Sequence, residues 1–412
     1  MLRSMYSGVS GMKAHMDKMD VVSNNISNVN TIGYKSSRAT FKTMFSQLIQ
    51  GATAPQGGRG GTNPQQIGLG ATLGSIDKDM GQGSLKSTGR NSDLAIQGSG
   101  FFVVSNGTNR RYTKAGSLTK DEEGFLVNSA TGYRVKGWQA DDNGNINTNE
   151  PIEDMSFKES MPAQATGEVT YAGNLNANAT TGTTWDTTFE AYDSQGAIHT
   201  ADVEFEKGGS NSWNYTVTNV SDANIDGGDT GTITFNADGS FNNDSAAGTP
   251  LDVEPINATA GAADPLEIDL DFSSMTQFSG EMTADRDTVN GYKAGSLLDY
   301  QFDSSGTITG EYDNGRQQTI GRIALADFNN PAGLTAEGET LFNVSNNSGE
   351  PKIGAPASGG LGAIKAGSLE MSNVDLSRQF SEMITTQRGF QANSKTISTS
   401  DQILQELVNL KR

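Results

Sequence analysis

The chain has 412 residues, including 50 Gly and 10 Pro, with 34% hydrophobic residues and a formal net charge of -19. It contains no Cys, which excludes disulfides and thiolate metal sites, and no run of 18 apolar residues, which excludes a helical membrane span. So turn-rich and core-poor a composition favours short β-strands over a helical bundle, and the length suits two or three domains.

Residues 1–33 read as an amphipathic helix. Met5, Met12, Met19 and Ile26 recur every seven residues, and Val9, Met16, Val22 and Val29 fill the neighbouring half-turns. A helix from Leu2 to Val29 would be about 40 Å long with one apolar stripe. The first 45 residues lean basic, with Arg3, Lys13, Lys18, Lys35, Arg38 and Lys42 against Asp17 and Asp20. The helix then runs into SNNISNVNTIGYK, residues 23 to 35, where Asn24, Asn25, Asn28 and Asn30 fall close together. Asn is a poor helix-interior residue because its amide competes for nearby backbone groups. The tract therefore predicts a helix end that stays weak in a free subunit and whose amides find partners when subunits pack. The opening MLRSMYSGVSGMKAHM lacks the continuous apolar segment of a secretory signal, so if the protein leaves the cell it does so by another route.

Residues 34–72, which include GATAPQGGRGGTNPQQIGLG, read as a linker or extended arm. Residues 73–165 alternate in short strands punctuated by turns, as in LAIQGSGFFVV, RYTKAGS and DEEGFLV. Residues 284–369 do the same in SLLDYQF, TITGEY and GRIALADF, and the two portions are expected to build one β domain. Between them, residues 166–283 hold 19 Asp+Glu against a single basic residue, Lys207, leaving 28 Lys+Arg and 29 Asp+Glu in the rest of the chain. That asymmetry marks a separate acidic module inserted in a near-neutral frame. It supplies no clustered basic face for nucleic acid. Inside the insert, hairpins are predicted around Asp193-Ser194-Gln195-Gly196 and around Ala237-Asp238-Gly239.

Residues 370–412 form the second helix, with Leu376, Met383, Phe390, Ile397 and Leu404 on a seven-residue period. Phe380 and Leu407 add to its stripe, while Gln387, Ser394 and Asp401 leave the second row polar. Two heptad segments at opposite ends of one chain are natural partners. Helices so short make a marginal pair, and neighbours from other subunits are expected to complete it. The fold class that follows is α+β, mainly β, with a coiled-coil-like pair of terminal helices.

Little in the sequence points to chemistry. The only histidines are His15 and His199, and no HExxH or phosphate-binding loop occurs. Gly98-Ser99-Gly100 reads as a turn between strands. The stretch QADDNGNINTNE places Asp141, Asn143, Gly144 and Glu150 at positions 3, 5, 6 and 12 of a calcium loop. Gln139 holds position 1, where a carboxylate is needed, and no helices flank the loop, so an Asn-Gly turn is the better reading. No catalytic, cofactor or metal site is expected.

The tract SNNISNVNTIGYK, with Asn24, Asn25, Gly33 and Tyr34, resembles the N-terminal signature of bacterial flagellar axial proteins, the rod and hook family. NSDLAIQGSGFFVV, residues 91 to 104, resembles a second signature of that family. SNVDLSRQFSEMITTQRGFQANSKTISTSDQILQELVNLKR resembles its C-terminal one. The length and the large insert resemble the hook members more than the shorter rod members. The resemblance implies a structural subunit that self-assembles into the curved tubular hook, which joins rod to filament and transmits torque. It implies as partners copies of itself, rod and hook–filament junction proteins, the hook cap and the flagellar type III export apparatus. It implies an extracellular place in the flagellum, reached without a cleaved signal peptide. In that family the paired terminal helices line the channel and the β domains lie outside. Met5, Met12, Met19, Ile26, Leu376, Met383, Phe390, Ile397 and Leu404 are accordingly expected at subunit interfaces. Some members cross-link covalently through a Cys, which this chain does not have. A rod protein is the nearer alternative. A calcium-binding extracellular β protein or adhesin would account for the acidic insert but not for the two terminal heptads.

Overall fold

A computed structural model describes residues 2–58, 60–221, 223–245, 251–255 and 266–410. The chain forms two compact units: residues 1–157, 300–309 and 319–412 make the first, and residues 158–299 and 310–318 the second.

The first unit holds both helices, α1 (Leu2–Ser27) and α2 (Leu376–Leu410). α1 stops inside the Asn tract. Past Ser27 the bonding tightens to i→i−3 turns, Val29 N to Ile26 O and Thr31 N to Asn28 O, as a fraying helix end does. α2 is capped by Asp375, whose Oδ1 accepts the N–H of Ser377 at 2.9 Å and of Arg378 at 3.2 Å, satisfying two of the orphan donors at a helix start.

The stretch expected as a linker or arm carries two nested hairpins. β1 (Ser37–Thr43) pairs antiparallel with β4 (Ala71–Lys78), with a bulge at Thr40/Phe41. Between them β2 (Ser46–Gln50) pairs with β3 (Gln65–Gly68). Every residue of these two inner strands is exposed.

The two β portions on either side of the insert interleave strand by strand. Arg134–Gln139 pairs with Gln317–Ile323, Phe101–Ser105 with Leu325–Asp327, and Arg110–Thr113 with Leu341–Asn343. Leu94–Gln97 pairs with Ala363–Ala366, and Leu85–Ser87 with Ser368–Glu370. Their core includes edge-to-face contacts of Phe328 with Phe101 and Tyr112.

The second unit closes two five-stranded sheets on one core. One sheet is antiparallel and runs in the order Thr184–Tyr192, Ile198–Lys207, Ser212–Thr218, Thr230–Phe235 and Phe241–Asp244, the chain visiting the other sheet through Ala223–Gly227 between the third and fourth strands. In the other, Glu168–Asn174 runs parallel to Leu266–Thr276 and antiparallel to Asp285–Val289. Alternation decides which side faces in. Along Ile198–Lys207 the residues His199, Ala201, Val203, Phe205 and Lys207 are buried, as a period of two requires. Tyr171, Phe205, Trp213 and Phe272 fill the space between the sheets.

Among the described residues four turns share one construction, Asp-x-x-Gly. Oδ1 of Asp141, Asp193 and Asp303 accepts the backbone N–H groups two and four residues on, and Asp121 accepts that of Phe125. The glycines Gly124, Gly144, Gly196 and Gly306 take positive φ, between 75 and 85°, where a side chain is disfavoured. The calcium-like stretch is therefore a turn whose Asp141 carboxylate is occupied by Asn143 N, Asn145 N and Asn145 Nδ2.

Candidate assembly surface

The helices pair antiparallel, and small and polar residues make the seam. Ser4 Oγ lies 3.4 Å from Ser400 Oγ at one end, and Asn25 Nδ2 donates to Gln379 Oε1 at 3.1 Å near the other. Between these ends Gly8 faces Ile397, Gly11 faces Asn393, and Gly389 faces the ring of His15. A Cβ on Gly11 would stand 2.8 Å from Asn393 Oδ1 and one on Gly8 3.0 Å from Ile397 Cγ1, so the absent side chains are what lets the helices approach. Lys18 and Glu382 bridge the seam at 3.7 Å.

This register differs from the one the apolar pattern suggests. Of α2, the buried positions are Gln379, Thr386 and Ser400. Together with Asn393 they form the second row of the seam, one position away from Gln387, Ser394 and Asp401, which are exposed. Met5, Met12, Met19 and Ile26 on α1, and Met383, Phe390 and Leu404 on α2, are half-buried beside the seam, whereas half-buried Ile397 lies in it against Gly8. Leu376 is exposed. The reason is steric. An apolar pattern marks residues that avoid water, but the closest backbone approach selects for residues that take no room.

A second apolar surface faces away from the pairing. Tyr6, Val9 and Met16 on α1 are exposed, and so are Phe380 and Ile384 on α2, while Ile403, Leu407 and Val408 are exposed beyond the Ser4–Ser400 contact, past the start of α1. Phe45, Leu48, Ile49 and Ile67 extend this exposure onto the inner hairpin. So much exposed apolar surface marks an interaction face.

The joint between helices and body is polar and buried. Asn25 is buried, donates to Ser37 O at 2.7 Å and accepts Ser37 N–H at 2.9 Å, while Tyr34 donates to Asn24 Oδ1 at 2.8 Å. Asn28 Nδ2 turns back to Asn24 O. These amides thus find partners within one chain, where the sequence suggested partners in neighbouring subunits. Asn373 donates to Asp79 O and accepts Ser36 N–H. Gly33, with φ of 69°, donates to Glu370 O at 2.8 Å and leaves no room for a Cβ, which would stand 2.7 Å from Ala115 N. Beneath it Glu370 Oε1 accepts from Lys35 Nζ at 2.6 Å and from Gly83 N, and its Oε2 lies 4.0 Å from Lys114 Nζ. Burial pushes the Lys114 ammonium pKa down to about 8, against the pull of Glu370. Glu370, Asn373 and Gln379 are absent from the residues singled out in the sequence, and their only local signal is polarity beside a helix start.

Among the described residues no group of three or more His, Cys, Asp or Glu is arranged to hold a metal ion, and no helix is long and apolar enough to cross a membrane.

Four family profiles match the chain. They are described as flagella basal body rod protein, over residues 5–35, and flagellar hook protein FlgE/F/G D1 domain, over residues 95–171. The others are flagellar basal body protein FlaE D2 domain, over residues 160–292, and flagellar basal body rod FlgEFG protein C-terminal, over residues 365–410. The flagellar hook protein FlgE of Borreliella burgdorferi is 41% identical with 100% of both chains covered, and that of Treponema pallidum 38% identical with the same coverage. The FlgE of Escherichia coli is 35% identical, covering 98% of each. The crystal structure of Helicobacter pylori flagellar hook protein FlgE2 has a similar fold, with a TM-score of 0.51 at 14% identity, covering 69% of this chain and 100% of that one.

Proposed function

The chain belongs to the flagellar hook protein family, and from that premise we propose that it builds the hook through the outward apolar faces of its terminal helices. One observation carries this reading: the pairing within a chain uses the small and polar residues, leaving Phe380 51% and Ile384 58% exposed on α2 and Tyr6 73% exposed on α1. Burying such side chains against neighbouring copies is worth about 1.5–3 kcal/mol each. Met5, Met12, Met19, Ile26, Met383, Phe390, Ile397 and Leu404, already half-buried, flank that face and complete the contact, and exposed Leu376 joins it. The second unit, acidic and with most of its large apolar residues in its own core, takes little part in the axial contact. Copies of the chain are the principal partner. Rod, junction and cap proteins meet the two ends of the tube, and the flagellar type III apparatus exports the subunit.

The test is assembly of the purified full chain, followed by sedimentation and electron microscopy. A Phe380→Asp, Ile384→Asp double variant places two carboxylates where burial is costly, and it is expected to abolish tubes while leaving the melting of both β units unchanged. Tubes at the unmodified protein's critical concentration would overturn the assignment of this face.

A further inference from the structure

His15 sits in the helix seam with little freedom. A Cβ on Gly389 would stand 2.5 Å from its Cε1 and 2.6 Å from its Nε2, so the ring rests on bare α2 backbone. Phe41 of β1 closes another side edge-on, with centroids 5.5 Å apart. The ring's Nδ1 is buried without a hydrogen-bond partner. Three elements therefore meet on one imidazole.

Charge around the ring is unfavourable to a proton. Lys18 lies one turn along α1, bridged to Glu382 of α2. Exposed Arg388 adjoins Gly389, and exposed Lys42 adjoins Phe41. β4 offers the neutral Leu73 opposite Phe41. Glu382 is the carboxylate of this group and is engaged with Lys18. Burial first, and Lys18 second, hold the His15 pKa below its ordinary 6.5.

We propose that His15 is a pH-sensitive lock on the pairing of the terminal helices: the neutral ring closes the seam, and protonation opens it. A half-buried cation whose Nδ1 is enclosed without a partner is disfavoured, and separating the helices returns the ring to water. The sign follows from linkage. The open state binds the proton more tightly, so pairing is at full strength above pH 6.5 and weakens as the pH falls below it. The loss is up to about tenfold in the pairing constant per pH unit, the limit for one proton. The consequence for tubes rests on the proposed function, whereas opening of the seam within one chain does not.

Because the chain has no Cys, nitroxides can be placed on the full-length protein through Arg3→Cys and Thr399→Cys, two exposed positions near the Ser4–Ser400 contact. Electron paramagnetic resonance then counts the short-distance population from pH 8 to pH 5. The expected result is a loss of that population below pH 6.5 that His15→Gln removes. An equal loss in both proteins overturns the lock, as does a wild-type seam that is open, or closed, at every pH. Should His15→Gln fail to pair even at pH 8, Lys18→Gln decides. Removing that positive neighbour should shrink the fall of the pairing constant between pH 8 and pH 5, whatever the lost bridge to Glu382 does to its absolute value, and an undiminished fall overturns the proposal. Sedimentation of the same samples separates the two readings: a seam that opens with acid in a chain that never forms tubes sustains the lock and refutes the assembly face.

Discussion

Lys35 Nζ lies 2.6 Å from Glu370 Oε1, with both side chains shut off from solvent, and the two residues stand 335 positions apart. The contact ties the residue that follows the Asn tract's Gly-Tyr to the last strand before α2. It fixes the entry of one terminal helix and the exit toward the other at a single buried point.

Removing the carboxylate should therefore be severe. Glu370→Gln leaves Lys35 and Lys114 facing each other's charge without the carboxylate between them, and breaking a buried pair on one side costs about 3–5 kcal/mol. Amide exchange should show strands of the first unit, such as Leu85–Ser87 and Ser368–Glu370, losing protection by that amount. The sheets of the second unit should be untouched. Protection within about 1 kcal/mol of wild type would mean that the joint is held by its hydrogen bonds alone.

Lys114 gives that joint a pH dependence. Its pKa is lowered to about 8, chiefly by burial, against about 10.4 in an unfolded chain. Between those values the unfolded chain holds a proton that the folded one has released, so this group makes stability rise with pH. The gain is complete above about pH 10.4 and is lost as the pH falls through 8. Other groups titrate in the same range, so the check is a difference. The stability of Lys114→Met relative to wild type should be greatest near pH 7 and shrink toward pH 10. A constant difference across that range would show that Lys114 is not desolvated.

Gly33 is required by two independent constraints, its φ of 69° and the approach of Ala115 N to within 2.7 Å of any Cβ. The obstacle is backbone, which cannot rotate away. Gly33→Ala should destabilise the joint by more than the roughly 1 kcal/mol that left-handed conformation alone costs a side chain. It should also lengthen the Gly33 N–H to Glu370 O bond. Faster exchange of the Gly33 neighbourhood, with α2 beyond Thr386 unaffected, is the measurement. An unchanged exchange pattern would show that the chain bypasses the contact.

How much of this could be read from the sequence depended on the kind of signal. The terminal helices were legible because apolar residues on a period of seven leave a mark, and the Asp193 and Asp238 hairpins because turn chemistry is local. The seam register was not, since Gly8, Gly11, Asn25, Gln379 and Thr386 carry no apolar mark and are buried by close approach rather than hydrophobicity. Lys35 and Glu370 could not be paired from sequence because nothing local distinguishes them from solvated charges. The nested hairpins were read as an arm because a two-stranded ribbon exposed on both faces, as β2 and β3 are, leaves no alternating pattern of burial to detect.

The charge of the second unit makes a final prediction about assembly. Gln164 and Tyr292 exchange both backbone hydrogen bonds, each at 3.0 Å, so the two ends of the segment between them lie side by side. Residues 166–290 can thus be replaced by a short glycine linker. That segment holds 21 Asp+Glu against Lys207 and Arg286, leaving 27 of each sign among the 48 acidic and 29 basic residues of the whole chain. Copies brought together in a tube repel through this excess. Two unit charges 4 Å apart repel by about 1 kcal/mol in water and more near a protein surface. The screening length shrinks from about 30 Å at 0.01 M salt to about 10 Å at 0.1 M. The full chain should therefore polymerise poorly at 0.01 M salt and readily at 0.1 M, as measured by light scattering. The shortened chain, being neutral, should form tubes at both. An equal salt response in the two proteins would show that this charge does not govern assembly. A shortened chain that stays monomeric at both salts, with its first unit folded, would instead place an essential subunit contact on the second unit.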